Sequence, residues 1–308
     1  MSNDIKVIMN IHHEMLCDDA YAAADFFQDV FGAKRVEVDF ADKIEEDFEL
    51  KNRHMELNGK IYQFITPNDE VSEKLKNWYD RSVLPGIHNV TLMVSDAEAL
   101  ALKLRELGCV SMGEMHSVAP DCKTSCTVYM YDCTKQCGLR IEFIQAPPDM
   151  TEPIPSNPVS GDEDSMVVAN VHTEILCDDP IKAAAFFEEV FGAQRVEENF
   201  ARKIEEDFEL ENRHMILNGD IYQFIKPDPE DEVKWELENW YDRSVMPGIH
   251  NVTFAVKDAE GLARTLREHG VRSMGEMHSV APDCETPCKV YMYDATKQCG
   301  MRFEFIQA

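Results

Sequence analysis

Residues 7–17, VIMNIHHEMLC, are apolar at both ends and polar in the middle, and the run has the length of a strand. Residues 20–31, AYAAADFFQDVF, space their apolar side chains as a helix does, with Asp18 or Asp19 available as the N-cap and Gly32 as the stop. Strands are expected at 34–40, 47–57 and 60–66. The pattern then restarts, with a strand at 87–94 (IHNVTLMV) and a helix at 97–107 (AEALALKLREL). Asp96 caps that helix and Gly108 closes it, and strands follow near 110–117, 127–132 and 139–145. The order is βαβββ, twice.

The whole unit is then repeated. KIEEDFEL stands at 43–50 and 203–210, and SMGEMHSVAPDC at 111–122 and 273–284. The offset is 160 residues up to Pro67 and 162 from Trp78 onward, with the extra two residues in the charged segment 228–239. A period of that length is a duplicated domain, not a solenoid repeat. The expected domains are 1–147 and 166–308. Residues 148–165, from the proline- and acid-rich stretch APPDMTEPIPSNPVSGDEDS, form the linker.

Side chains alternate along a strand, so one face of each can be buried under a helix. In 87–94, Val90, Leu92 and Val94 share one face, while Asn89, Thr91 and Met93 share the other. Cys17-Asp18-Asp19 can be laid on Val94-Ser95-Asp96, which puts His12, Glu14 and Leu16 on that second face. Gly59–Gln63 likewise matches Gly138–Glu142, which aligns Gln63 with Glu142, and Arg140 shares the face of Glu142. Such a set of polar groups on one inner face is costly unless paired or used. The plain alternative is a structural polar core in which Arg140 neutralises Glu14 or Glu142.

The 308 residues are 44% hydrophobic with a formal charge of −28, which disfavours nucleic acid and anionic membrane surfaces as partners. No apolar run approaches the roughly 18 residues needed to span a bilayer. The N-terminal residues lack the pattern of a signal peptide, so the cytoplasm is the expected location. Ten cysteines are then expected to be reduced thiols. Cys133 and Cys137 correspond to Ala295 and Cys299, so a zinc site built on them would fail in the second copy.

These features resemble the vicinal oxygen chelate superfamily of glyoxalases, bleomycin-resistance proteins and dioxygenases. Residues 86–146 look most like methylmalonyl-CoA epimerase, through the G-I-H-x start, the aspartate-capped helix, the D-x-T/K-x-C-G turn and the closing I-E-F-I-Q. The resemblance implies an α+β fold of two tandem domains. Each would hold two βαβββ modules in a half-open, eight-stranded, barrel-like sheet, with a divalent metal held by one side chain from each of four strands. Carried over by position, the ligands fall on His12, Gln63 and Glu142, and on His172, Gln223 and Glu304. Where the family has its fifth-strand histidine stand Asn89 and Asn251. His88 and His250 lie one residue earlier and face away unless a bulge turns them inward.

A nitrogen and oxygen donor set of this kind suits Co, Ni, Zn, Mn or Fe. Glu14 and Glu174 are then candidate general bases on a carbon acid, while the epimerase resemblance places the base near Glu46 or Asp47, and so Glu206 in the second copy. Thr91, Arg140, Thr253 and Arg302 are candidate substrate-binding residues, the arginines for an anionic group. His116 and His278 are read as loop histidines, and Trp78 and Tyr79 as packing. Two functions stay open: a metal-assisted isomerase, epimerase or lyase acting by α-proton transfer on a small carbonyl or thioester, and a metal-free small-molecule binder. Extradiol ring cleavage is disfavoured by the missing second histidine. Two sites per chain are expected, and a homodimer stays open.

Overall fold

The computed structural model describes residues 5–36, 42, 50–67, 77–118, 124–156, 165–196, 202–203, 211–230, 240–280 and 286–308. The first copy runs β1 (Val7–Leu16), α1 (Ala20–Phe31), β2 (Lys34–Arg35), β3 (Lys51–Leu57), β4 (Lys60–Thr66), β5 (Gly86–Val94), α2 (Ala97–Glu106), β6 (Val110–Val118), β7 (Ser125–Cys133), α3 (Thr134–Cys137) and β8 (Leu139–Gln145). The second runs β9 (Val167–Leu176), α4 (Pro180–Phe191), β10 (Gln194–Arg195), β11 (Glu211–Leu217), β12 (Asp220–Lys226), β13 (Gly248–Val256), α5 (Ala259–Glu268), β14 (Arg272–Val280), β15 (Pro287–Ala295), α6 (Thr296–Cys299) and β16 (Met301–Gln307). The expected strands at 34–40 and 47–57 are seen as 34–35 and 51–57, the remainder lying outside the described residues.

Each copy is one open, mixed, eight-stranded sheet, ordered β2-β3-β4-β1-β5-β8-β7-β6 in the first and likewise in the second. The pairings β1·β4 and β5·β8 are parallel and β1·β5 is antiparallel, so the two modules join through their first strands. Asp19 caps α1, its carboxylate accepting from the Tyr21 and Ala22 N–H groups, and Gly32 ends it at φ 74°. Asp96 caps α2 through Ala99 N–H.

The helices cover one face of each sheet, and those faces meet. Phe31 of α1 packs edge-on or tilted against Phe254 and Phe303 of the other copy, ring centroids 5.7 and 4.7 Å apart, within one core that draws on both copies. The opposite, concave faces form separate clusters, Ile8, Ile65, Trp78, Met93, Met130 and Ile144 among them in the first copy. The stretch read as a linker lies against the folded copies: Ile154 N–H donates to Ile8 C=O at 2.7 Å and Ser156 N–H to Asn218 C=O at 2.7 Å.

Equivalent positions meet across the junction between the copies, yet two such pairs differ in chemistry. His13 Nε2 and Thr173 Oγ1 are 2.9 Å apart. Lys60 and Asp220 form an ion pair at 3.0 Å, with side chains only 14% and 5% exposed. Asn10 also donates to Asp220 at 2.9 Å. Breaking a buried pair leaves an uncompensated charge, a loss of about 3–5 kcal/mol. K60D should therefore lower the thermal midpoint sharply, and the swap K60D/D220K should recover most of the loss. A swap no better than the single variant would show that the pair does not couple the copies.

Candidate functional site

The polar face is assembled from two neighbouring rungs of the sheet. One runs across β3, β4, β1 and β5 as His54, Gln63, Glu14 and Asn89. The next runs across β1, β5, β8 and β7 as His12, Thr91, Glu142 and Met130. The second copy repeats both, as His214, Gln223, Glu174, Asn251 and as His172, Thr253, Glu304, Met292. Strand alternation thus brings His12 and Glu142 into one hollow from separate strands. Every member of these rungs comes from a single copy.

His12, His54, His172 and the glutamates of these rungs are held neutral by burial. Desolvation, with lesser effects of His54 and His13, holds His12 well below the usual imidazole range, and burial puts His54 at about 4. His172 falls to about 3, first by burial and then through His214 and Lys60. Burial raises Glu142 and Glu174 to about 8. It also raises Glu14 well above the usual carboxylate range, with Glu142 adding to the effect, and Glu304 likewise, with Glu174 adding to it. Two carboxylates side by side without a cation cannot both ionise cheaply.

Several residues take positions other than those expected. His88 does not face away. The register passes from Glu14↔Asn89 directly to Met15↔Ile87, so His88 is the extra residue of a bulge. Its Nδ1 lies 2.6 Å from Asn89 Oδ1 and 3.6 Å from Glu14 Oε1, while its Nε2 accepts from Asp80 N–H at 3.0 Å. That acceptor role leaves the proton on Nδ1, directed at the glutamate side. His250 does the same, with Nδ1 at 3.2 Å from Glu174 and Nε2 accepting from Asp242 N–H at 3.0 Å.

Asn89 and Asn251, expected as ligands, are occupied by hydrogen bonds: Asn89 Nδ2 donates to Thr91 at 3.2 Å, and Asn251 Nδ2 to Glu174 Oε1 at 2.8 Å. Thr91 and Thr253 bond His12 Nε2 and His172 Nε2, each at 2.9 Å. Arg140 pairs with Asp80 and Arg302 with Asp242, so the guanidinium groups do not neutralise the glutamates. Gln63 Nε2 donates to Asn52 Oδ1 at 3.3 Å. His116 and His278 sit exposed on the edge strands β6 and β14, not on a covering loop. Glu46, Asp47 and Glu206 lie outside the described residues.

One residue, and one role of another, were missed by the sequence reading. His54 brings a second imidazole from β3, its ring centroid 5.7 Å from that of His12. The alternation in KNRHMEL, written again as ENRHMIL, carried that signal. Tyr79 packs against the concave cluster as expected, and it also feels the carboxylates: burial, then Glu14 and Glu142, push its phenol well above the usual range and keep it protonated. Its ring centroid is 5.7 Å from that of His88.

In the second copy, donor atoms of His172, Glu174 and Glu304 lie within 4.8 Å of one another, the one such group among the described residues. Glu14 Oε1 is buried without a hydrogen-bond partner. A neutral imidazole, two carboxylates that resist ionising and an amide oxygen nearby make a donor set that fits a divalent cation, which would offset both negative charges.

The sequence profile of the Glyoxalase/Bleomycin resistance protein/Dioxygenase superfamily matches residues 10–143 and 170–284. Among solved structures, the chain is similar to the Mn(II)-bound glyoxalase of Novosphingobium aromaticivorans (13% identity, 98% of this chain and 83% of that one, TM-score 0.56). It is also similar to a mutant of 4-hydroxymandelate synthase from Streptomyces coelicolor (12%, 98% and 93%, TM-score 0.58). A third is the 2,3-dioxygenase LapB of Pseudomonas sp. KL28 (13%, 98% and 93%, TM-score 0.54). At these identities the likeness concerns the fold. No curated protein matches the sequence.

Proposed function

This chain belongs to the glyoxalase/bleomycin resistance protein/dioxygenase superfamily, and on that premise we propose that it is a divalent-metal-dependent isomerase, epimerase or lyase. Its substrate is a small carbonyl or thioester compound, and the reaction moves a proton at the carbon beside the carbonyl. The observation that carries this reading is the buried glutamate pair in each cup, beside a neutral histidine and with the neighbouring arginine engaged elsewhere.

His12, Gln63 and Glu142 would hold the ion in the first cup, and His172, Gln223 and Glu304 in the second. Bound there, a divalent ion supplies Lewis acidity for a substrate oxygen. Glu14 and Glu174 take and return the proton. A carboxylate whose pKa is raised toward neutrality, as at Glu174, is suited to that task. His88 and His250, locked by backbone N–H groups, and Asn251, by its bond to Glu174, fix where those carboxylates stand. Tyr79 keeps its phenolic proton and can donate at the same place. With the arginines engaged, nothing in this reading requires an anionic substrate.

E14Q/E174Q should keep two divalent ions per chain by elemental analysis. Deuterium uptake from D2O into a panel of 2-oxo acids and acyl thioesters should fall by about 10²–10⁴. Loss of the ions instead would reassign Glu14 and Glu174 as ligands. Asn89 and Asn251, tied up in hydrogen bonds where the resemblance expects an imidazole, favour a second reading, a metal-free binding protein. Absence of any heat on titrating Mn(II) or Co(II) into the chain would select it.

A further inference from the structure

The two cups differ at one end, always in the same direction. Next to the rung of His12 and Thr91, Met9 on β1 stands opposite Met93 on β5. In the second copy the same cross-strand pair is Ala169 opposite Ala255, so both partners lose their side chains beyond Cβ. Ile8 and Ile11 on the same strand become Val168 and Val171. Met93 is 2% exposed and packs with Ile8 in the concave cluster, whereas Ala255 is half-buried. The strap from the linker adds to the contrast. Ile154 N–H bonds Ile8 C=O and leaves Ile8 at 0% exposure, while Val168, its counterpart, is 44% exposed.

We propose that the cups select ligands of different length: the second admits an oxygen-bearing ligand whose apolar chain runs over Ala169 and Ala255, and the first closes on a short one. Met9 and Met93 are the residues that set this limit. The proposal rests on the reading that each cup binds a small molecule through its polar rungs. The wall pair lies one rung from His12 and Thr91, so a chain leaving the polar centre in that direction meets the thioether side chains of Met9 and Met93 in one cup and only the Cβ atoms of Ala169 and Ala255 in the other. Burial of an apolar chain there is favourable in proportion to its length, which is why truncating the wall on both strands changes selectivity and not merely fit.

The test uses the full chain loaded with Co(II) and two chelators with the same head, acetohydroxamate and octanohydroxamate, titrated calorimetrically. Acetohydroxamate should bind two per chain and octanohydroxamate one. A255M should weaken octanohydroxamate by at least about tenfold and leave acetohydroxamate unchanged. M9A/M93A should create a second octanohydroxamate site. Because Ala255 is a half-buried wall position, A255M stands as a test even if M9A/M93A fails to fold. Two equal octanohydroxamate sites in the unaltered chain, or none, would overturn the proposal, as would an A255M chain that binds octanohydroxamate as before. Failure of acetohydroxamate to bind either cup would instead overturn the metal-dependent reading on which it rests.

Discussion

Replacing Glu142 and Glu304 together by glutamine is expected to raise the thermal midpoint of the metal-free chain while destroying its affinity for divalent ions. The two effects have one cause. Each glutamate is buried against a second one, and no basic side chain among the described residues forms an ion pair with it. Holding a carboxyl protonated up to about pH 8 against a usual 4.5, as for Glu142, costs about 1.4 kcal/mol per pH unit across that span. Glutamine keeps the shape and an acceptor oxygen but has no charge to desolvate. At pH 8 the gain from Glu142 is on the order of 4 kcal/mol, with Glu304 adding in the same direction, worth several degrees of midpoint for a protein of this size. The lost carboxylate should lower affinity for Mn(II) or Co(II) by about a hundredfold or more. Calorimetry and thermal scans on one preparation read both. A variant less stable than the parent at pH 8 without metal would show that the pair is a satisfied structural element.

The second large effect is on pH. In the folded chain Glu142 and Glu174 lose their protons near pH 8, whereas the unfolded chain loses them near 4.5. Between those values the unfolded state binds fewer protons, so stability falls as pH rises. The contribution is complete below pH 4.5 and gone above about 8. The buried histidines act oppositely, because burial lowers them, but only below about 6.5 where the unfolded imidazoles take up protons. From pH 6.5 to 8 the carboxyls therefore dominate, and the metal-free chain should lose about 1.4 kcal/mol per pH unit for each of Glu142 and Glu174, with Glu14 and Glu304, raised by the same burial, adding in the same direction. Urea titrations across that window should give this slope, and E142Q/E174Q should reduce it by about 1.4 kcal/mol per pH unit for each glutamate removed. Saturating Mn(II) should flatten it, since the ion favours the ionised pair. An unchanged slope in E142Q/E174Q would assign the pH effect to the overall charge of −28.

The fold was legible because its signals are local and repeated. Helix periodicity, aspartate caps and glycine stops place α1 and α2 without any long-range knowledge, and Asp19, Gly32 and Asp96 sit where the sequence put them. The duplication needs only a comparison of the chain with itself. Alternation by two is also local, which is why His12, Glu14, Gln63 and Glu142 could be assigned to one face before any coordinates.

Alternation fails at a bulge, and His88 shows it. One extra residue in β5 reverses the direction of a side chain, and nothing in GIHN announces where the ladder slips. Choice of partner was equally invisible. Arg140 could have met Glu14, Glu142 or a ligand, and it meets Asp80, in the segment that leads into β5. Tyr79 reached the carboxylates by the same route. So the sequence by itself determined the duplication, the order of elements and which residues share the inner face, because each follows from neighbours along the chain. Only the tertiary structure decided which of those residues touch and which stay neutral. Those outcomes depend on burial and on pairings between strands far apart in sequence, and no local pattern encodes them.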